Sequence, residues 1–256
     1  MQNIKNNLFI YILIAVISIV VGVMVVTIVL NSDKVYKLSD YLVINEYDIE
    51  RNCADCIGSG VIKRVSFRNI DDSIVRDFIK SENSFINLSL YDNNVKLSNE
   101  VSYFLDKNIL SVYVLGTSNY SNMSTCLYPE CSYIDYGVNI NLDTMESIGN
   151  SELLSLYNID VKTSVKAILK QILDDVEVDE FYLDSSIQDE VVSIDEVRLN
   201  IDNYANMFTN LDSVMLYLSN NKVYVAYSEE AILKQIGLNT HMGNGLDNTM
   251  QRLILN

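Results

Sequence analysis

From Leu8 to Leu30 the chain reads LFIYILIAVISIVVGVMVVTIVL, 23 residues without a charge. Wound as an α-helix, that run reaches about 35 Å, enough to cross a hydrocarbon core of about 30 Å with some tilt. A helix also keeps every backbone hydrogen bond inside the segment, which lipid demands. A cleaved signal peptide would carry a shorter apolar stretch, roughly 7–15 residues, closed by a small-x-small site. This run ends Ile28-Val29-Leu30-Asn31-Ser32 and has no such site. The sequence therefore predicts a retained transmembrane helix with ends at Leu8 and Leu30, after a short cytoplasmic segment at 1–7.

Orientation follows from two further features, because Lys5 on one side and Lys34 and Lys37 on the other leave the positive-inside count tied. The leading segment MQNIKNN is short, as in a signal-anchor, and all four cysteines lie beyond the span, where an oxidising exterior suits them. The expectation is a single-pass protein of the cell membrane, N-terminus cytoplasmic and C-terminal domain extracytoplasmic. Residues 31–47 read as a membrane-proximal lead-in and 48–256 as one extracytoplasmic domain, since no Pro- or Gly-rich linker divides them.

Beyond the span there are 17 basic and 34 acidic residues, and the whole chain carries −16. A phosphate backbone needs a basic face, so nucleic acid is excluded as a partner. One histidine, His241, leaves no multi-histidine metal centre, and its glycine-containing surroundings read as an exposed loop. The Asn, Ile and Lys usage, with one Pro and no Trp, resembles the output of an AT-rich bacterial genome.

Two periodicities alternate along the domain. Tyr133–Leu142 puts Ile134, Tyr136, Val138, Ile140 and Leu142 on one face, the signature of a half-buried strand. Shorter alternations mark strands at Phe85–Tyr91, with Ile86, Leu88 and Leu90 inward, and at Ile109–Leu115, with Leu110, Val112 and Val114 inward. Val214–Leu218 and Val223–Tyr227 flank Ser219-Asn220-Asn221-Lys222, a β-hairpin in which Asn tolerates positive φ. Val161, Val165, Ile168, Leu169, Ile172 and Leu173 stand at helical spacing after Asp160, a good N-cap. Ser193-Ile194-Asp195-Glu196 fits a capping box ahead of Val197, Ile201 and Tyr204. A last helix, Glu229–Ile236, stops at Gly237. Hairpins and helices in no strict βαβ order predict an α+β fold, an antiparallel sheet with helices packed on it.

Little in this framework carries chemistry. Cys53-Ala54-Asp55-Cys56 and Cys126–Cys131 form two close pairs. Structural disulfides suit the outward topology; tetrahedral zinc and a redox dithiol remain as alternatives. The acidic stretch from Asp174 to Glu180 lacks the order of an EF-hand loop and reads as a solvated segment after a helix. Ser219-x-x-Lys222 matches the Ser-x-x-Lys of penicillin-recognising enzymes, but their Ser opens a helix and this one sits in a hairpin turn. No phosphate-binding loop or nucleophile elbow occurs. The 17 tyrosines suit a binding surface and equally replace Trp and Phe in a core, the reading favoured here. No catalytic residue, cofactor or metal site is assigned.

The runs Ile109-Leu110-Ser111-Val112-Tyr113-Val114, Tyr136-Gly137-Val138-Asn139-Ile140-Asn141-Leu142-Asp143-Thr144 and Glu152-Leu153-Leu154 resemble a bacterial extracytoplasmic domain. That domain occurs in the lysozyme-sensing anti-sigma-factor ectodomain and in an envelope-anchored peptidoglycan deacetylase. The resemblance implies strands leading into a Tyr-x-x-Asn-x-Asn-Leu-x-Thr stretch and a short helix. The chain departs from the family in lacking a Gly-Gly-Ala-His-like segment before the central strand. Seven leading residues also cannot form a sigma-binding domain, and the deacetylase's catalytic domain is absent, so no catalytic residues carry over. The expected function is a membrane-anchored binding or interaction domain of a bacterial envelope, whose charge would steer a basic protein or peptide or another envelope component. A hydrolase using carboxylates and a structural subunit of an envelope complex are the alternatives.

Overall fold

Strand-forming alternation and helix-forming spacing each produce what they predict over most of the domain. The structure, a computed structural model, describes residues 35–49, 60–91, 96–119, 131–175, 180–183, 191–208, 211, 214–239 and 251–255. The predicted span 8–30 lies outside them. Among the described residues no helix is long and apolar enough to cross a membrane.

After a 3-10 turn at Leu38–Asp40 come β1 (Leu42–Ile49) and its antiparallel partner β2 (Gly60–Phe67). Residues 42–47, expected within the lead-in, thus form most of a strand. Helix α1 (Arg76–Tyr91) is followed by β3 (Lys96–Asp106), β4 (Ile109–Asn119), β5 (Cys131–Asn141) and the short β6 (Glu146–Ser147). These four strands make an antiparallel sheet in the order β3-β4-β5-β6. Next are α2 (Asn150–Leu156), α3 (Val161–Asp175), β7 (Glu180–Leu183), β8 (Val191–Ser193), α4 (Ile194–Leu199) and α5 (Ile201–Met207). The chain continues through β9 (Val214–Ser219), β10 (Lys222–Tyr227), α6 (Glu229–Gln235), β11 (Leu238–Asn239) and β12 (Gln251–Leu255). A second sheet has the order β12-β10-β9, and a small third one the order β11-β7-β8. The fold is α+β, with antiparallel sheets and helices packed on them.

Local signals account for several boundaries. Asp160 Oδ2 accepts from the backbone N–H of Thr163 at 2.8 Å and from its hydroxyl at 2.9 Å, capping α3. Ser193 Oγ accepts from Glu196 N at 3.2 Å and caps α4. Asn220 and Asn221 sit at φ 50° and 60°, the two positive values of a type I′ turn, and join β9 to β10. Gly237, at φ 73°, ends the turn after α6.

Two predicted elements differ. Phe85–Tyr91, expected as a strand, is the last half of α1. The buried side chains Phe78, Glu82 and Phe85 follow four and three residues apart, so the apolar face is helical, and polar Lys80–Ser84 hid its first half. The helix expected through Val197, Ile201 and Tyr204 breaks at Asn200, whose side-chain amide donates to Glu196 O at 3.0 Å and diverts the chain.

The main core lies between one face of the second sheet and α3. Leu216, Leu218, Val223, Val225 and Tyr227 meet Val165, Ile168, Leu169, Ile172 and Leu173 there. On the first sheet, α1 covers one face. Phe85 lies so close to Gly116 that a Cβ there would meet its ring at 2.6 Å, and Phe78 packs edge-on against Phe67 and Tyr136. The opposite face meets the second sheet, so β4 is buried on both sides, Ser111 and Tyr113 included.

Side chains close two of the strand edges. Lys63 and Val65 turn their polar groups away from β1. Asn99 of β3 accepts from Lys63 N and donates to Lys63 O, both at 2.7 Å, while Glu82 Oε1 accepts from Val65 N at 2.9 Å. On β9 the cross-strand pair Ser111 and Asn139 does the same. Ser111 Oγ accepts from Leu218 N, and Asn139 Nδ2 donates to Leu216 O, each at 2.8 Å. Amide and hydroxyl groups thus stand where a neighbouring strand would, and keep the edges from pairing with another chain.

Candidate functional site

The seam between the first and second sheets brings ionisable and aromatic side chains of several strands together. On β4, Tyr113 is fully buried and stacks on Tyr217 of β9, with centroids 4.3 Å apart and planes 7° apart. Tyr217 continues into Tyr224 of β10 at 5.4 Å. The sheets come this close because Gly137 on β5 has no side chain. A Cβ there would meet Met215 Cε at 2.6 Å and Val112 O at 2.7 Å. From β12, the Arg252 guanidinium lies over the Tyr113 ring, 5.5 Å from its centroid, and donates to Glu100 Oε2 at 2.8 Å.

Two carboxylates occupy the same face. The register sets Glu100 of β3 and Asp135 of β5 on either side of Leu115, the residue of β4 opposite both. Two strand spacings separate their backbones, about 10 Å. Their environments differ. The Arg252 hydrogen bond holds the Glu100 carboxyl below its usual range. Burial pushes Asp135 up to about 6, against a backbone hydrogen bond of its own that pulls the other way. No cation pairs with Asp135 among the described residues. Burial, with Asp135 nearby as the next cause, also raises the fully enclosed Tyr113 hydroxyl, while the Arg252 guanidinium beside it pulls the other way. At the height of Asp135, β5 is the outer strand of its sheet in the described fold, because β6 pairs only with Ile140 and Asn141.

The residues named from sequence lie elsewhere. Cys53, Cys56, Cys126 and His241 fall outside the described residues, as do the span ends Leu8 and Leu30; Cys131 opens β5, and its side chain is outside them too. Asp174 and Asp175 end α3, exposed, with Arg198 donating to Leu173 O at 2.7 Å beside them. Ser219 and Lys222 flank the hairpin turn. Among the described residues no three His, Cys, Asp or Glu side chains stand together as metal ligands. Tyr113, Tyr136, Tyr217 and Tyr227 belong to the interior.

The stretch that carries the family resemblance is structural. Tyr136 packs under α1 and Asn139 holds β9. Asn141 Oδ1 accepts from Asp143 N at 2.9 Å and Asn108 Nδ2 at 3.0 Å, shaping the turn after β5. Alternation alone gives Asp135, opposite the Ile134–Leu142 face, to solvent. The signal that bears on it is the polar cross-strand pair Ser111 and Asn139, buried on that face, which marks a second layer there.

No family model and no curated protein matches the chain. Three chains of solved structures do. One is similar over 73% of this chain and 80% of its own, at 6% identity and a TM-score of 0.38: the crystal structure of a DUF3298 family protein from Pseudomonas aeruginosa PAO1.

Proposed function

We propose that the protein is a membrane-anchored extracytoplasmic binding domain of a bacterial cell envelope, taking basic ligands. The observation that carries this reading is the uncharged run Leu8–Leu30 directly ahead of a folded unit that begins at Lys37, in a chain of net charge −16. Such a charge raises the encounter rate with cationic partners, an effect that weakens as salt rises. The test is to express the full chain with a C-terminal epitope in a bacterial host. The expected result is an alkaline-carbonate-resistant membrane protein whose epitope is removed by protease added to intact protoplasts. Recovery in the soluble cytosol, or an epitope that survives until lysis, overturns it.

A hydrolase draws on one observation, the opposite displacement of the Glu100 and Asp135 carboxyls on one sheet face. Two features weigh against it. Glu100 is engaged by Arg252, and Leu115 stands between the two acids, where a scissile bond would have to lie.

A further inference from the structure

We propose that Asp135 anchors a subsite for one cationic side chain, an ammonium or guanidinium group of a peptide ligand, held against its carboxylate on the outer strand of the first sheet. The inference rests on the reading of the domain as a binder of basic ligands and names where one such group sits.

Four observations carry it. Asp135 is partly buried among apolar and aromatic groups, Leu115 opposite it and Met215 packed on the neighbouring Gly137, so its charge is poorly hydrated. No cation of the described fold compensates it, because Arg252, the guanidinium of this seam, donates to Glu100. Tyr133, half-buried two residues along β5, shares the face and offers a ring beside the carboxylate, the arrangement that favours a cation over a neutral group. The outer side of β5 is not covered by β6 at this height.

The groups that face Asp135 set how the subsite responds to pH. They are Tyr133 on its own strand, Tyr113 on β4 and Glu100 on β3, with the Tyr217–Tyr224 stack and Arg252 of the second sheet packed against Tyr113. At neutral pH the tyrosines whose shifts are resolved, Tyr113 and Tyr217, are displaced upward and stay neutral, and Glu100 stays ionised. The protonation that changes between pH 5 and 7 is therefore that of Asp135 itself, and an arriving cation favours its ionised form.

The experiment is calorimetric titration of the full chain in nonionic detergent with tetra-arginine amide, with the uncharged isostere tetra-citrulline amide and with acetyl-arginine amide. The expected result is binding of the tetra-arginine peptide at pH 7 that weakens at least tenfold in Asp135→Asn, with no binding of the citrulline peptide. Near pH 6 the wild-type chain releases a fraction of a proton on binding, read as a dependence of the heat on the buffer's ionisation enthalpy, and Asp135→Asn does not. Binding of acetyl-arginine amide with the same dependence on Asp135 identifies the single side chain as sufficient; its failure beside a bound tetra-arginine identifies a peptide ligand. Equal affinity of the two proteins for tetra-arginine overturns the subsite and leaves the basic-ligand reading standing. Absence of binding by any probe overturns both.

Discussion

Glu82 and Asp135 are both carboxylates that burial displaces upward, on opposite faces of the same sheet, and the fold treats them in opposite ways. Glu82, on α1, spends one oxygen on Val65 N at 2.9 Å and turns the other toward Arg64, 3.4 Å away. Its burial is compensated, and in exchange it closes the edge of β2 and fastens the β1–β2 hairpin to the sheet. Asp135 has a backbone hydrogen bond within its own residue and no partner charge among the described residues. The compensated charge is part of the structure; the uncompensated one is where we place the cationic subsite.

The sharpest way to break this contrast is at Glu82. Truncation by Glu82→Ala leaves the buried Val65 N–H without an acceptor and opens the edge of β2. The expected cost is about 2–3 kcal/mol, the range for an orphaned buried donor next to a charged acceptor that is lost. Glu82→Gln keeps an oxygen in the same place and should lose less than half as much. Urea unfolding followed by tyrosine fluorescence measures both. Equal losses in the two variants would mean that the carboxylate matters for its volume and not for the edge it closes.

How far the sequence foretold these two places depends on which force decides each element. The β9–β10 hairpin was legible because Asn220 and Asn221 tolerate the positive φ the turn requires, and α3 because Asp160 and a four-three apolar spacing act within one segment. Helix α1 was not, because its buried face includes Glu82, an acid that no hydrophobic pattern assigns to an interior; what holds it there is the backbone of Val65, 17 residues earlier in the chain. Asp135 was hidden for the same reason. A strand's alternation shows that two faces exist, but the layer that covers the second face comes from residues 214–227, too far along the chain for local spacing to show. The polar residues at the seams were therefore legible as composition and illegible as a site.

Asp135→Asn tests the other half of the contrast, and its sign is opposite. The folded-state pKa of about 6 lies above the ordinary 3.8, so the folded state holds the proton more tightly. Stability contributed by this group is full below about pH 4 and is lost as pH rises through 6. Two pKa units correspond to about 3 kcal/mol, which we halve because the carboxylate keeps some water. The asparagine variant should therefore be more stable than the wild type by about 1–2 kcal/mol at pH 7, with the advantage gone at pH 4. A destabilised variant at pH 7 would mean that the ionised carboxylate is compensated after all, and the contrast with Glu82 would collapse.

Arg252→Met carries the smallest expected effect and sharpens the comparison most narrowly. The ion pair with Glu100 is partly exposed, at 30% and 62% of the two side chains, and such pairs contribute about 0–1 kcal/mol. The stacking of the guanidinium on Tyr113 adds about 0.5–1 kcal/mol, part of which a thioether on the same ring replaces. The loss should stay near 1 kcal/mol. The informative reading is carboxyl NMR titration of the variant. Glu100, released from its hydrogen bond, should titrate higher, while Asp135 should stay near 6, since Arg252 is not among the causes of its displacement. If Asp135 moves up as well, the arginine was serving both acids, and the carboxylate that the two sheets leave open toward the outer side of β5 would already have its cation from within.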